Sequence, residues 1–577
     1  MSGLNSAGAN DDQTTGLPAL MMEWAEATPM GRGVLQMRRG HWQLSTWADC
    51  AERVQHLALA LDELNVHPRD VVAQVLVTSQ DAWFLDLATQ ALGARSAAID
   101  PDSPRADIKA ALRRLAPTVI AVDGPDLAHD VLGLVEEGLF PRPQIITRQG
   151  ADMFDGAFSF IELAELGRIQ AESQPYRYAE LAEKRSRTEV VAVTVDYDST
   201  NGPLLLDVTS DALLSAGRAI VDQFSLTPAD LVVSVTPLAH PVERGTTYAG
   251  SLSAGAPIGF PETPSSVLAA VADLQPTFLH GPPTFWRTTA TQMRSRLAYN
   301  TGVKRFVRDL WERVSLLPLM EERPVSMAGR FFRFLVGAAA LRKLGMDQIH
   351  SAITTGPVVS TGHMQVLAAF GLEVRRGYGC PHSMGLVALS NLANGDLELP
   401  AGLMAGVQMR LGNDGDVGVS GVVVSGEGLT PTGDWARSVT EGQIRVGGSG
   451  RGLIKGSFPA EIESQLCSSM YIKHVVVYEE GDSTCALVQV DATAAGDWAR
   501  SRGLEFTTFE SLCALEPVRD LIEVELDRLE PGRLTEYRLL SEPLRRHLGE
   551  LTINQEVNRE VILTLRGAAA VGGTPLS

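Results

Sequence analysis

The chain has 577 residues, too many for one compact core, so at least two domains are expected. Its residues are 45% hydrophobic and 20% charged, the balance of a globular enzyme. The net charge of -20 excludes wholesale binding of nucleic-acid phosphates and argues against a polybasic membrane anchor.

Residues 1–20 begin MSGLNSAGANDDQTTG and read as a flexible tail and not a signal peptide. Residues 46–64 place Ala51, Val54, Leu57, Ala58 and Leu61 at helical spacing, which predicts an amphipathic helix. A buried strand is expected at 71–77, a helix at 81–92, a short strand at 97–100, a helix at 106–115 and a strand at 118–123. Strand alternating with helix implies a largely parallel sheet covered on both faces. Further strands are expected at 231–236, 277–280 and 352–355, and helices at 265–272 and 362–369. Residues 285–344 read as a long, arginine-rich helical stretch, mostly a solvated face. From residue 402 glycine becomes frequent and valine alternates with small residues, which predicts antiparallel strands. The GGSGRG stretch at 447–452 is the best linker candidate, with a small α+β unit after it. No uncharged apolar run is long enough to span a bilayer. Cys50, Cys380, Cys467, Cys485 and Cys513 are odd in number and lack paired metal spacing, so a reduced, cytoplasmic setting with no metal centre is expected.

The stretch 191–213 organises the rest. A valine-rich strand breaks at Asp, Ser, Thr, Asn, Gly and Pro, then resumes as a helix-like segment, the layout of a phosphate loop. Yet its turn holds one glycine, Gly202, no Lys or Arg lies between 191 and 216, and Asp196, Asp198 and Asp207 would repel a polyphosphate.

The order of short motifs resembles the adenylate-forming superfamily, and within it the acyl-CoA ligases, over nearly the whole chain. The resemblance rests on STWADCAERVQHLALAL at 45–61, PLAH at 237–240, TTGPVVS at 354–360 and GYG at 377–379. It continues in TGD at 432–434, IRVGG at 444–448, PAEIE at 459–463 and LT at 551–552. It implies an α/β fold: a large N-terminal domain of mostly parallel sheets covered by helices, with a β-rich subdomain, and a small mobile α+β C-terminal domain. The corresponding boundaries are 21–448 for AMP and acyl binding and 449–577 for the mobile unit. Carried over by position, the resemblance implies that Asp434 holds a ribose, that Tyr378 flanks adenine within Gly377, Tyr378 and Gly379, and that Thr355, Gly356 and Pro357 form the adenine-side loop. It further implies that His240 gates the acyl pocket or orients a thiol as the catalytic candidate, and that Gly447, Gly448, Gly450 and Gly452 serve the hinge and the coenzyme A side.

The same carry-over exposes losses. The family's phosphate loop is a Ser/Thr/Gly run followed by Pro-Lys-Gly; here Asp198, Ser199, Thr200 and Asn201 precede Pro203 and Leu204, and the lysine is gone. His382 stands where a glutamate would hold Mg²⁺, and imidazole is a poor ligand for that hard ion. Ser449 replaces an arginine, Gly452 the hinge acid or lysine, and Glu556 the adenylating lysine. Adenylation gathers charge at the α-phosphorus, and each preorganised donor is worth ~10²–10³ in rate, so productive use of ATP and Mg²⁺ is not expected. Thioester formation asks less, because its acyl-adenylate is already activated. The sequence therefore implies a ligase that takes preformed acyl-AMP and coenzyme A and releases AMP, fed by a separate adenylating ligase. This combination of losses resembles the non-adenylating ligases of the platensimycin and platencin diterpenoid pathways, which would make the acyl group a bulky diterpenoid acid of antibiotic biosynthesis. A catalytically inactive relative and a divergent, full ATP-dependent long-chain acyl-CoA synthetase stay open as alternatives. Cys380 reads as a small buried filler and His382 as a loop-packing histidine.

Overall fold

The computed structural model describes residues 15–138, 142–198, 202–298, 303–321, 323–356, 361–390, 402–412, 414–425, 428–440, 443–449, 459–481, 483–529, 533–551, 557–566 and 574–575. Two large sheets and two small ones carry the chain.

The first large sheet orders its strands Phe158–Ser159, Gln144–Thr147, Val119–Val122, Val71–Val75, Arg95–Ala98, Val190–Asp198 and Gly202–Thr209. All pair in parallel except the last two, which form an antiparallel hairpin. Its central strands are wholly buried, as a sheet with helices on both faces requires. The helix Trp47–Glu63 covers one face and is started by a capping box between Thr46 and Asp49.

The second large sheet runs Ala388–Leu389, Val374–Tyr378, Ser351–Thr355, Phe278–His280, Val232–Val233, Ile258–Phe260, Arg32–Arg38 and His41–Thr46. The hairpin of its last two strands was not expected from sequence, because neither strand shows clean apolar alternation. The tail expected through residue 20 is shorter than that: a helix begins at Leu17, and Leu17, Leu20 and Met21 are buried in the main core.

A third, antiparallel sheet contains Val407–Leu411, Asp416–Gly421, Thr430–Thr440 and Gln443–Ser449, as the glycine and valine pattern suggests. Gly447 and Gly448 lie inside its last strand, where Gly448 pairs with Trp435. They are extended strand and not linker; Gly450 and Gly452 lie outside the described residues. The last sheet holds Ile472–Glu480, Ser483–Val490, Glu536–Leu539 and Thr574–Pro575 around its own core. This C-terminal unit touches the first large sheet where Arg546 pairs with Asp100 and Asp102 at the end of Arg95–Ala98. Burial pushes the Asp100 carboxyl up to about 6, against the pull of the Arg546 guanidinium. It touches the second sheet's side where Arg287 donates to the Lys473 carbonyl.

Two glycines separate close packing from chance. A Cβ on Gly245 would stand 1.4 Å from the Met384 carbonyl oxygen, whereas one on Gly133 would meet nothing within 4 Å. Gly245→Ala is therefore expected to cost at least about 1–3 kcal/mol through overpacking. Gly133→Ala, inside the helix Pro125–Glu136, should stabilise by about 0.5–1 kcal/mol. Urea denaturation of both variants checks the contrast; equal midpoints would contradict it.

Candidate active site

The stretch 191–213 folds as strand, hairpin and helix, not as strand, turn and helix. Val190–Asp198 turns back on Gly202–Thr209, and only then does Ser210–Phe224 begin, capped by Thr209. In this register Asp196 lies across from Leu204 and Asp198 across from Gly202. Asn201 lies outside the described residues. Asp207 does not face a phosphate position with the other two acids. It is an exposed strand residue 4.0 Å from the Arg95 guanidinium.

Asp196 reaches the heart of the site. Its charge acts on both His382 and Asp434, so the hairpin, the turn after Tyr378 and the TGD strand lie near one another. The Tyr378 hydroxyl donates to Asp434 Oδ2 at 2.8 Å. Burial raises the Asp434 carboxyl above its ordinary range, Asp196 raises it further, and the Tyr378 bond opposes them. Gly433, at φ +80°, takes the backbone through the left-handed region just before Asp434. Ser449 sits across from Asp434 on the neighbouring strand. Thr355 pairs with Gly377, so the strand Ser351–Thr355 and the strand that carries Tyr378 are adjacent. Gly356 then leaves the strand at φ +104°, a conformation other residues avoid. Gly379 packs tightly, since a Cβ there would stand 2.7 Å from Val242 and 2.8 Å from the Gly385 carbonyl. Pro357 and Glu556 lie outside the described residues; the bridge between Leu551 and Val557 brackets the latter.

His382 is half-buried, burial lowers its pKa, and its Nδ1 has no hydrogen-bond partner. A half-buried imidazole beside one carboxylate does not fit the oxygen-rich shell that Mg²⁺ prefers. Among the described residues no three His, Cys, Asp or Glu groups are clustered to hold a metal ion. Cys380 is buried, and burial pushes its thiol up to about 11, so it is a packed thiol and not a nucleophile.

His240 caps a short helix, Pro241–Glu243, by accepting from the Glu243 backbone N–H at Nδ1, 3.1 Å away. Nδ1 is thus an acceptor, and the neutral ring carries its proton on Nε2. His240 can donate a hydrogen bond but is not arranged as a base. Burial brings its pKa down to about 3.

The structure also gathers residues that sequence reading missed. Glu243 pairs with His280 Nδ1, and His280 Nε2 lies 2.8 Å from the Thr355 hydroxyl. The Thr246 hydroxyl is 3.1 Å from the same Nδ1. One residue on, Arg244 pairs with Asp86, which also accepts from Gln90 at 2.8 Å. Glu243, Arg244, His280, Thr355 and Asp86 are all buried. The chain passes from Glu243 into a π-helical turn, Arg244–Ala249, a form common beside functional sites. The available signal was the Glu-Arg doublet inside the otherwise small and apolar PVERGTTYAG.

Two outcomes follow from this geometry. Tyr378→Phe removes the donor to a largely buried carboxylate and should cost about 1–3 kcal/mol in urea unfolding; no loss would mean the bond is idle. For His240, only the unfolded chain is protonated between the ordinary value of 6.5 and the folded value of about 3. Stability should therefore fall as pH falls through that window. His240→Gln should flatten the slope by up to about 1.4 kcal/mol per pH unit, measured as urea midpoints between pH 6 and 4.

The family profile described as AMP-binding enzyme matches residues 21–175 and 207–430, more than half of the chain. The chain is 23% identical over 558 residues to the long-chain-fatty-acid–CoA ligase FadD15 of Mycobacterium bovis, covering 91% of each. It is 22% identical over 347 residues to the putative fatty-acid–CoA ligase FadD11 of Mycobacterium tuberculosis, a match spanning 55% of this chain and 61% of that protein. In three dimensions it resembles the anthranilate CoA ligase AuaEII in complex with anthranoyl-AMP, with a TM-score of 0.70 at 13% identity, over 96% of this chain and 97% of that one. A benzoate CoA ligase from Burkholderia xenovorans LB400 gives a TM-score of 0.66 at 15% identity, over 94% and 99%. By its sequence and by the fold it shares with these ligases, the chain belongs to the AMP-binding enzyme family.

Proposed function

We propose that this protein binds a preformed acyl-adenylate and transfers its acyl group to coenzyme A, releasing AMP, and that it does not make the adenylate from ATP. The observation that carries this reading is the Asp196 carboxylate on the phosphate hairpin, close enough to act on both Asp434 and His382. The stretch 191–216 itself supplies no Lys or Arg. A polyphosphate entering there would meet negative charge, whereas an acyl-adenylate brings a single phosphodiester-like charge and no leaving pyrophosphate.

The step needs little from the protein. The coenzyme A sulfur attacks the acyl carbonyl carbon, the bond from that carbon to the phosphate oxygen breaks, AMP leaves with the electron pair, and the thiol proton passes to solvent. Asp434 would accept from the ribose hydroxyls, with Tyr378 and the turn at Gly356 beside the adenine. His240 would present Nε2–H to the acyl carbonyl. The unit from residue 449 onward would move to admit the thiol, in a cytoplasmic protein supplied by a separate adenylating ligase. The resemblance to diterpenoid-pathway ligases would make the acid bulky and polycyclic. The second reading is a full ATP-dependent ligase, which has the names of FadD15 and FadD11 in its favour; an inactive relative is the third.

One assay set separates them. Acid, ATP and coenzyme A go in one tube, and synthetic acyl-adenylate with coenzyme A in another. Thioester in the second tube alone is expected. Thioester in both, from protein free of contaminating ligase, sinks the proposal, and thioester in neither points to the inactive relative. Asp434→Ala should weaken AMP binding at least about tenfold, the loss of charge-assisted hydrogen bonds; unchanged affinity by calorimetry removes Asp434 from the ribose.

A further inference from the structure

The Glu243–His280–Thr355 line lies between the two loops that the proposed function assigns to acyl group and nucleotide. Glu243 is one helical turn past His240, and Thr355 is the residue before Gly356. Relative exposure is 0% for Glu243, 1% for His280 and 3% for Thr355. A carboxylate can only accept, so His280 Nδ1–H donates to Glu243 Oε2, while His280 Nε2 lies 2.8 Å from the Thr355 hydroxyl. That fixes what is left over. Glu243 Oε1 is buried with no hydrogen-bond partner, and the hydroxyls of Thr236 and Thr247, on the segments either side of His240, are buried without one too.

A hydrocarbon acyl chain laid against this wall would leave a buried carboxylate oxygen unmatched, which is costly. A group that donates a hydrogen bond would satisfy it. We infer that the acyl substrate carries a hydroxyl group read by Glu243 and the His280–Thr355 pair, so that the protein acts on a hydroxylated carboxylic acid and not on a plain fatty acid. The inference rests on the proposed acyl-adenylate reading and names the substrate class of that same site. A site built to hydrogen-bond a hydroxyl discriminates strongly against the analogue lacking it.

The test uses the full chain and non-hydrolysable acyl-sulfamoyl adenosines: decanoyl, a panel of hydroxydecanoyl counterparts differing in hydroxyl position, and the matching ketodecanoyl compounds. Calorimetry on the parent should find one hydroxy compound at least about tenfold tighter than decanoyl and tighter than its keto partner. Glu243→Gln keeps the shape but turns an amide N–H toward the vacant position once its oxygen takes the His280 proton. The hydroxy-over-keto ratio should therefore shrink or invert, which a merely structural role for Glu243 would not cause. Thr355→Val should lower the hydroxy-over-decanoyl ratio and serves if Glu243→Gln does not fold. Decanoyl binding as tightly as every hydroxy compound, or an unchanged ratio in a folded variant, overturns the inference while leaving the acyl-adenylate reading intact. If no compound binds, decanoyl included, the inference falls, and the acyl-adenylate reading is decided separately by the thioester assay.

Discussion

Two opposite charges on successive residues hold this molecule together at its centre. Glu243 is paired with His280, at the end of a strand of the second large sheet, and Arg244 with Asp86, on a helix that covers the first. One short helical segment is thereby pinned to both halves of the large domain. Removing Arg244 or Asp86 leaves an uncompensated buried charge, commonly a loss of about 3–5 kcal/mol. Gly245 is the next residue and admits no side chain against the Met384 carbonyl. Charge pairing and close backbone approach together fix the segment from which His240 is presented.

The sheets and helices that carry strong periodicity were legible in the sequence to within a few residues. The helix Trp47–Glu63, the buried strand Val71–Val75 and the antiparallel sheet from Val407 are examples. What escaped reading was held by pairing and not by local pattern. The edge hairpin Arg32–Arg38 and His41–Thr46 mixes polar and apolar residues because one strand of it is largely exposed. The strand Gly202–Thr209 passed for the start of a helix because its partner lies across a turn and its leucines alternate poorly with polar residues. Gly447 and Gly448 looked like a linker because composition says nothing about cross-strand partners.

For the site, the motif residues Tyr378 and Asp434 were legible because a short, ordered set of motifs marks them, and they do meet. Glu243, His280, Arg244 and Asp86 were not, because their partners lie 37 and 158 residues apart in sequence and only the packing of two sheets brings them together. His240, singled out in the sequence, caps a helix through Nδ1, so its neutral ring can donate only from Nε2, and His280 lies beside it.

The hairpin register bears on how such a protein could change over generations. Leu204, where the family's lysine would be, lies directly across from Asp196. A lysine at 204 would place an ammonium across from the Asp196 carboxylate, and the two would attract as a cross-strand ion pair. The restored cation would strengthen the hairpin before it served any phosphate, so selection for ATP use would see little gain from that first step. Recovery would require Asp196 to change as well, with neither substitution favoured alone. On the proposed reading, one acid in a strand makes the loss of ATP use hard to reverse.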